Sequence, residues 1–366
     1  MFPYLFIFAI CLFLNSRSSS KNIVPVLLSC LLLSLLAGFR DMNIGLDTSL
    51  YPPTYMSAIR HIKSFSDIVS MDTDMDKGFL FIYWVSSWFT DQIWMGLFLT
   101  ELVICLFTFL AFFRLNKYFE GNITVFTIIF LFLTYNLTLN IMRQQCALAV
   151  SFFAFTYLWE KRWIPYFFWT LIAFSFHTTT VISLVIPIVL YVANIENDKK
   201  RKIAVILLLI LALITFLSFY YVLSLVIDMG LSEVYEDRYG EDGKYGGLNK
   251  VPSAPLLICF MIFYIMYISY RNRIIGKNIF SFHFMINAIY LGCLCLSLLS
   301  VFLHRIGMCF FTIDMYFMAV ELSSKKLNPI IRFSALLVVI LFWLLKNVVH
   351  NDYMTYPYTS KILGID

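Results

Sequence analysis

Residues Ile23–Tyr51 read IVPVLLSCLLLSLLAGFRDMNIGLDTSLY. The first sixteen, Ile23 to Gly38, carry no charge. Then Arg40, Asp41 and Asp47 follow within ten positions, with Gly45 between them and Tyr51 just beyond. An uncharged run of this kind belongs in lipid, and a cluster of both signs belongs at the edge of it. The pattern recurs along the whole chain, so the fold is decided by how many such runs there are and what lies between them.

Of the 366 residues 61% are hydrophobic and 13% are charged, and the mean hydropathy is +0.82. A soluble domain carries about 25% charged residues. The composition therefore predicts an all-α integral membrane protein, because lipid-exposed backbone must satisfy its own hydrogen bonds and the segments lack the alternation of a barrel. The polar stretches are 40–77, 228–251 and 347–366, too short for a soluble catalytic domain. We expect a single polytopic membrane domain over 1–366, with extracytoplasmic loops 40–92 and 228–251. The eight cysteines lie in apolar segments without metal or disulfide spacing and read as small core residues. The start MFPYLFIFAICLFLN has no basic n-region and reads as a retained first helix.

Thirteen apolar segments are candidates, at about 2–14, 23–39, 78–90, 93–113, 122–140, 145–159, 163–177, 180–195, 203–227, 252–270, 279–303, 305–322 and 330–347. Six short basic connections, 17–21, 114–117, 160–162, 199–202, 271–273 and 323–326, are expected on the cytoplasmic side. Parity then requires that 78–90, GFLFIYWVSSWFT, be an outer interfacial half-helix. The expectation is about twelve transmembrane helices plus that half-helix, with both termini outside.

The outer charges carry the functional signal. Arg40 ends the second apolar run. Arg143, in NIMRQQCALA, has no acidic neighbour, His177 caps a hairpin in FSFHTTT, and His304 and Arg305 sit in FLHRIG. The bland reading of each is a snorkelling or structural side chain. Together they suggest an anion at the membrane edge, and the planar fork of arginine suits phosphate. Asp41, Asp47, Tyr51 and Tyr55 from one loop, and the acids, tyrosines and glycines of 228–251 around Tyr239, suit a sugar: carboxylates accept hydroxyl hydrogen bonds and rings cover its apolar face. The run Asp72, Asp74, Asp76 lacks the glycine and glutamate of a calcium loop, so no metal is expected.

Four motifs in order, GFRDMNIGLDTSLY, an acid shortly before GFLFIYWV, NIMRQQCALAVSFFAF and FSFHTTTVISLVIPIVLY, resemble the EpsG family of Wzy-like polymerases of bacterial exopolysaccharide and capsule. The resemblance covers roughly 25–195; beyond that it rests on helix count and the lone HR before a late helix. Family members often place Glu before the Gly-Phe of the third motif, where this chain has Asp74 and Asp76 beside Lys77.

The resemblance implies a glycosyltransferase C-like architecture and a glycosyltransferase that joins lipid-linked repeat units at the outer face of the bacterial cytoplasmic membrane. Donor and acceptor would both be undecaprenyl-pyrophosphate-linked oligosaccharide. No cofactor, nucleotide sugar or nucleic acid is implied; membrane lipid, a flippase and a chain-length regulator would be the other partners. Arg143, Arg305 and Arg40 are the candidates for pyrophosphate. His177, Asp47 and His304 are the candidates for the base, and Tyr51, Asp41, Gln144 and Tyr239 for sugar contacts. The competing classes are a flippase or transporter of the same lipid-linked units, expected to place charges along a central path, and a membrane acyltransferase.

Overall fold

The computed structural model describes residues 1–19, 22–71, 73, 75–228, 253–298 and 301–365. The regular elements among them are helical. They are α1 (Phe2–Ser16), α2 (Val24–Gly38), α3 (Tyr51–Ala58), α4 (Phe65–Ser70), α5 (Lys77–Ser87), α6 (Ile93–Leu115), α7 (Ile123–Thr138) and α8 (Met142–Trp159). Then come α9 (Trp163–Phe176), α10 (Thr178–Ala193), α11 (Asp198–Asp228), α12 (Ser253–Arg271), α13 (Lys277–Leu296), α14 (Val301–Ser323) and α15 (Pro329–Val349).

The expected twelve crossings in a glycosyltransferase C-like architecture are corrected by this structure. Among the described residues four helices are long and apolar enough to cross a membrane: Ile93–Leu115, Lys277–Leu296, Leu303–Ser323 and Pro329–Val349. Extended pairing among these residues amounts to two isolated bridges, Ser19 with Asn22 and Ser360 with Ile365, so no sheet domain stands beside the helices. The chain is a multi-pass membrane protein. Counting apolar runs overstated the number of spans because apolarity measures partition into lipid, whereas a span also needs length. Helix α1 has 15 residues. At about 1.5 Å per residue it falls short of a hydrocarbon core of roughly 30 Å.

Other runs are broken by their backbone. The run 122–140 is interrupted by a π turn at Leu131–Tyr135. The first half of α10, Thr178–Val185, is 3-10 helix. The proposed half-helix 78–90 is α5, of 11 residues. It buries Phe79, Leu80, Ile82 and Tyr83 in a core with Tyr55, Met142 and Phe176, while Trp88 and Phe89 stay exposed.

The chain divides into two compact units, one of residues 1–181, 322–324 and 328–366, the other of 182–321 and 325–327. In the first, α6 packs against α2, α5 and α8, and α9 lies along α8. The C-terminal tail is folded onto the end of α2. Tyr358 Oη donates to the Leu36 carbonyl at 2.8 Å, Tyr4 Oη to the Thr355 carbonyl at 2.7 Å, and the Asp41 N–H to the Thr359 carbonyl at 3.1 Å. In the second unit α13 packs against α10, α11 and α12.

Gly45 sits in the left-handed region at φ +85°, and its N–H donates to the Met354 carbonyl at 2.8 Å. A Cβ there would stand 2.6 Å from the Leu139 carbonyl oxygen. Gly45→Ala therefore combines backbone strain with a clash against backbone. A loss of about 1–3 kcal/mol is expected, measured as a lowered midpoint in detergent-phase thermal unfolding; an unchanged midpoint would show that the 40–48 segment can shift away from Leu139 freely.

Candidate functional site

The charged seam after α2 does not remain an open loop. Pro52 and Pro53 open α3, where proline's missing N–H and fixed φ suit the first turn. Tyr51 and Tyr55, four residues apart, then share one helical face. Tyr55 is buried and packs edge-on against Phe79, ring centroids 5.0 Å apart. Its hydroxyl accepts the backbone N–H of Asp76 at 3.0 Å, which fixes the residue that caps the start of α5.

Arg143, in the first turn of α8, meets both of these elements. Its Nη1 donates to Asp76 Oδ2 at 2.6 Å, and its guanidinium carbon lies 3.8 Å from the centroid of the Tyr51 ring. Both members of the ion pair are partly buried, with side-chain exposures of 21% and 14%. The anion that Arg143 lacks in its own turn is thus supplied 67 residues upstream. Burial pushes the Asp76 carboxyl above the usual range while Arg143 opposes this, so acidification releases Arg143 sooner than an ordinary carboxylate would. The guanidinium is held flat by the ring and oriented by one carboxylate, with a fork of five donors in all. That arrangement can accept a second anion edge-on.

Gly78 brings the end of α9 to this site: a Cβ there would meet Ser175 Oγ at 2.6 Å and the Phe176 ring at 3.0 Å. His177 follows in extended conformation at φ −165° and caps α9. Its Nδ1 is 2.8 Å from Thr179 Oγ1 and accepts the Thr179 N–H at 3.3 Å. An Nδ1 that accepts a backbone N–H leaves the proton of the neutral ring on Nε2.

Arg40 takes a different place. It is 4% exposed. Nη1 donates to the Ala37 carbonyl at 2.6 Å and Nη2 to the Leu139 carbonyl at 3.1 Å, with Thr48 Oγ1 at 3.3 Å. It joins the end of α2 to the turn before α8. The Asp41 carboxylate accepts the N–H of Lys361 at 2.9 Å, so it anchors the tail. Asp47 is half-buried, its carbonyl accepting the Tyr51 N–H at 3.0 Å, and Gln144 is buried next to Arg143.

His304 and Arg305 lie on α14 in the second unit, with the His304 ring 6.4 Å from that of Tyr290. Tyr239, the rest of the 228–251 loop beyond Asp228, and Asp72 and Asp74 lie outside the described residues. Asp76 and Tyr55 as partners of the arginine site were missed as such by sequence reasoning. The signal available was the acid before Gly-Phe.

A profile of the EpsG family matches residues 23–360. The chain belongs to the EpsG family. The match extends the likeness from the four N-terminal motifs to nearly the whole chain, α12 to α15 included. EpsG membership brings with it a general role in polysaccharide polymerisation, of an enzymatic, glycosyltransferase-like kind. Neither the curated proteins nor the solved structures give a match to this EpsG chain.

Proposed function

We propose that this EpsG-family protein polymerises lipid-linked oligosaccharide repeat units at the outer face of the cytoplasmic membrane. It moves a glycan from undecaprenyl pyrophosphate onto the non-reducing end of another unit. The observation that carries the reading is Arg143, held over Tyr51 and oriented by Asp76 within a cluster of carboxylate, phenol and guanidinium. As the glycosidic bond breaks, negative charge develops on the departing pyrophosphate. A guanidinium already fixed in place stabilises that charge without reorganising. Tyr51 offers its ring edge and neighbouring Asp47 a carboxylate to the sugar that follows.

The acceptor hydroxyl needs a base. The tautomer that the Thr179 N–H imposes on His177 presents a donor at Nε2, which favours Asp47 over His177 for proton removal in this conformation. His177 then serves as a hydrogen-bond donor to substrate oxygen. Direct displacement from the face opposite the pyrophosphate inverts the anomeric centre.

The test is genetic and chemical. Deleting the gene should leave single repeat units on the lipid, exposed at the outer face. Units trapped at the cytoplasmic face would instead identify a flippase, and polymer of normal length would refute both readings.

A further inference from the structure

The second unit holds a buried cluster that the polymerase reading does not use. His283 lies on α13, and Asp314 and Glu321 lie on α14, seven residues apart and so two turns along one face. All three side chains are 0% exposed. The imidazole stands between the acids. Nδ1 is 3.0 Å from Glu321 Oε1 in a hydrogen bond. Nε2 is 3.3 Å from Asp314 Oδ1, in ion-pair reach but without hydrogen-bond alignment. Neither oxygen of Asp314, nor Oε2 of Glu321, has a donor among the described residues. One turn beyond His283, Asn287 donates to the Cys259 carbonyl at 3.1 Å, and its own Oδ1 is likewise without a donor.

Acceptors therefore outnumber donors in a place closed to bulk solvent. A metal does not resolve this, because the two ring nitrogens point to opposite sides and each acid sits at its own nitrogen. The three side chains do not converge on a common point, and among the described residues no group of three such ligands forms a metal site. Charge gives the same answer. An imidazolium with two carboxylates leaves one net negative charge between apolar helices, which is strongly disfavoured. One further proton neutralises the cluster.

We propose that the α13–α14 pair is a buried proton-binding site, in which the His283 imidazolium is held by ionised Glu321 and Asp314 carries the bound proton. The hydrogen bond assigns the ionised partner to Glu321, and the unaligned contact leaves Asp314 as the acid. From α12, the buried Cys259 thiol lies within electrostatic reach of Asp314. From α11, Arg201 and Asp198 engage Asn278 and Lys277 in the first turn of α13. Farther along α14, His304 lies beside Tyr290 of α13. Losing the proton would leave two carboxylates on one imidazolium, so proton occupancy and the packing of α13 on α14 are linked. Ionisable groups inside membrane helices are expensive and mark proton or substrate paths.

Infrared spectroscopy of the full-length protein in lipid at neutral pH tests this. The expected result is a carboxylic-acid carbonyl band that shifts when aspartate carboxyls carry carbon-13. It should be lost in Asp314→Asn and survive Asp76→Asn, which removes a part-buried aspartate of the first unit. The absence of an aspartic-acid band in the wild type overturns the proposal, and so does a band unaltered in Asp314→Asn. Should Asp314→Asn fail to fold, Asp314→Glu decides: it moves the protonated carboxyl onto an unlabelled glutamate, so the carbon-13 aspartate band should be lost, and its persistence overturns the proposal.

Discussion

Arg143→Ala is expected to reduce polymer formation by about 10²–10³-fold, the usual cost of removing one preorganised donor from a site of developing negative charge. The product should shift from a ladder of long chains to single repeat units on the lipid. The physical basis is the guanidinium stacked 3.8 Å from the Tyr51 ring centroid and bonded to Asp76 at 2.6 Å. Arg143→Lys keeps the charge but loses the planar fork and the stack, so it should recover little of the loss. Asp76→Asn separates catalysis from architecture. It removes the ion pair yet leaves the arginine, and a smaller drop than for Arg143→Ala is expected if the arginine acts on the donor, since the guanidinium keeps its charge and its stack on Tyr51. Equal losses in Arg143→Ala and Asp76→Asn would mean that the pair is only structural. Full-length polymer from Arg143→Ala would sink the pyrophosphate role. The readout is a gel of polymer made from purified lipid-linked units, normalised to folded protein.

Arg40→Ala is expected to act on folding. The side chain is 4% exposed and spans the Ala37 and Leu139 carbonyls. Truncation strands the buried Ala37 carbonyl, at about 1–3 kcal/mol, and leaves the Leu139 carbonyl only the Thr48 hydroxyl at 3.4 Å. The amount of monodisperse protein extracted from membranes should fall, and the unfolding midpoint with it. A normal midpoint combined with lost polymerisation would instead make Arg40 an anion ligand beside Arg143. The two arginines look alike in sequence, each a cation close to an apolar run. Their surroundings separate them. One is committed to main-chain oxygens, whereas the other meets a carboxylate and a ring.

The motifs around Arg143 and His177 were legible because they combine charge with an apolar background, and four of them in order resembled one family. Asp76 as the partner of Arg143 was not legible, since the two are 67 residues apart and belong to different helices. His283 was equally silent. It is one histidine in an apolar segment, and its meaning comes from Asp314 and Glu321 on another helix. The spacing of those two acids, two helical turns apart, was a readable sign that they share a face.

Composition and apolar patterning by themselves determined that this chain is all-α and multi-pass, because lipid leaves the backbone few other ways to satisfy its hydrogen bonds. The order of short motifs pointed to the family. Only the tertiary structure decided how many runs become helices long enough to span, because caps, π turns and 3-10 segments depend on neighbours distant in sequence. It also decided which charges meet. Pairing is set by which helix ends pack together, as where α3, α5 and α8 bring Tyr51, Asp76 and Arg143 within contact, and no local spacing encodes that distance.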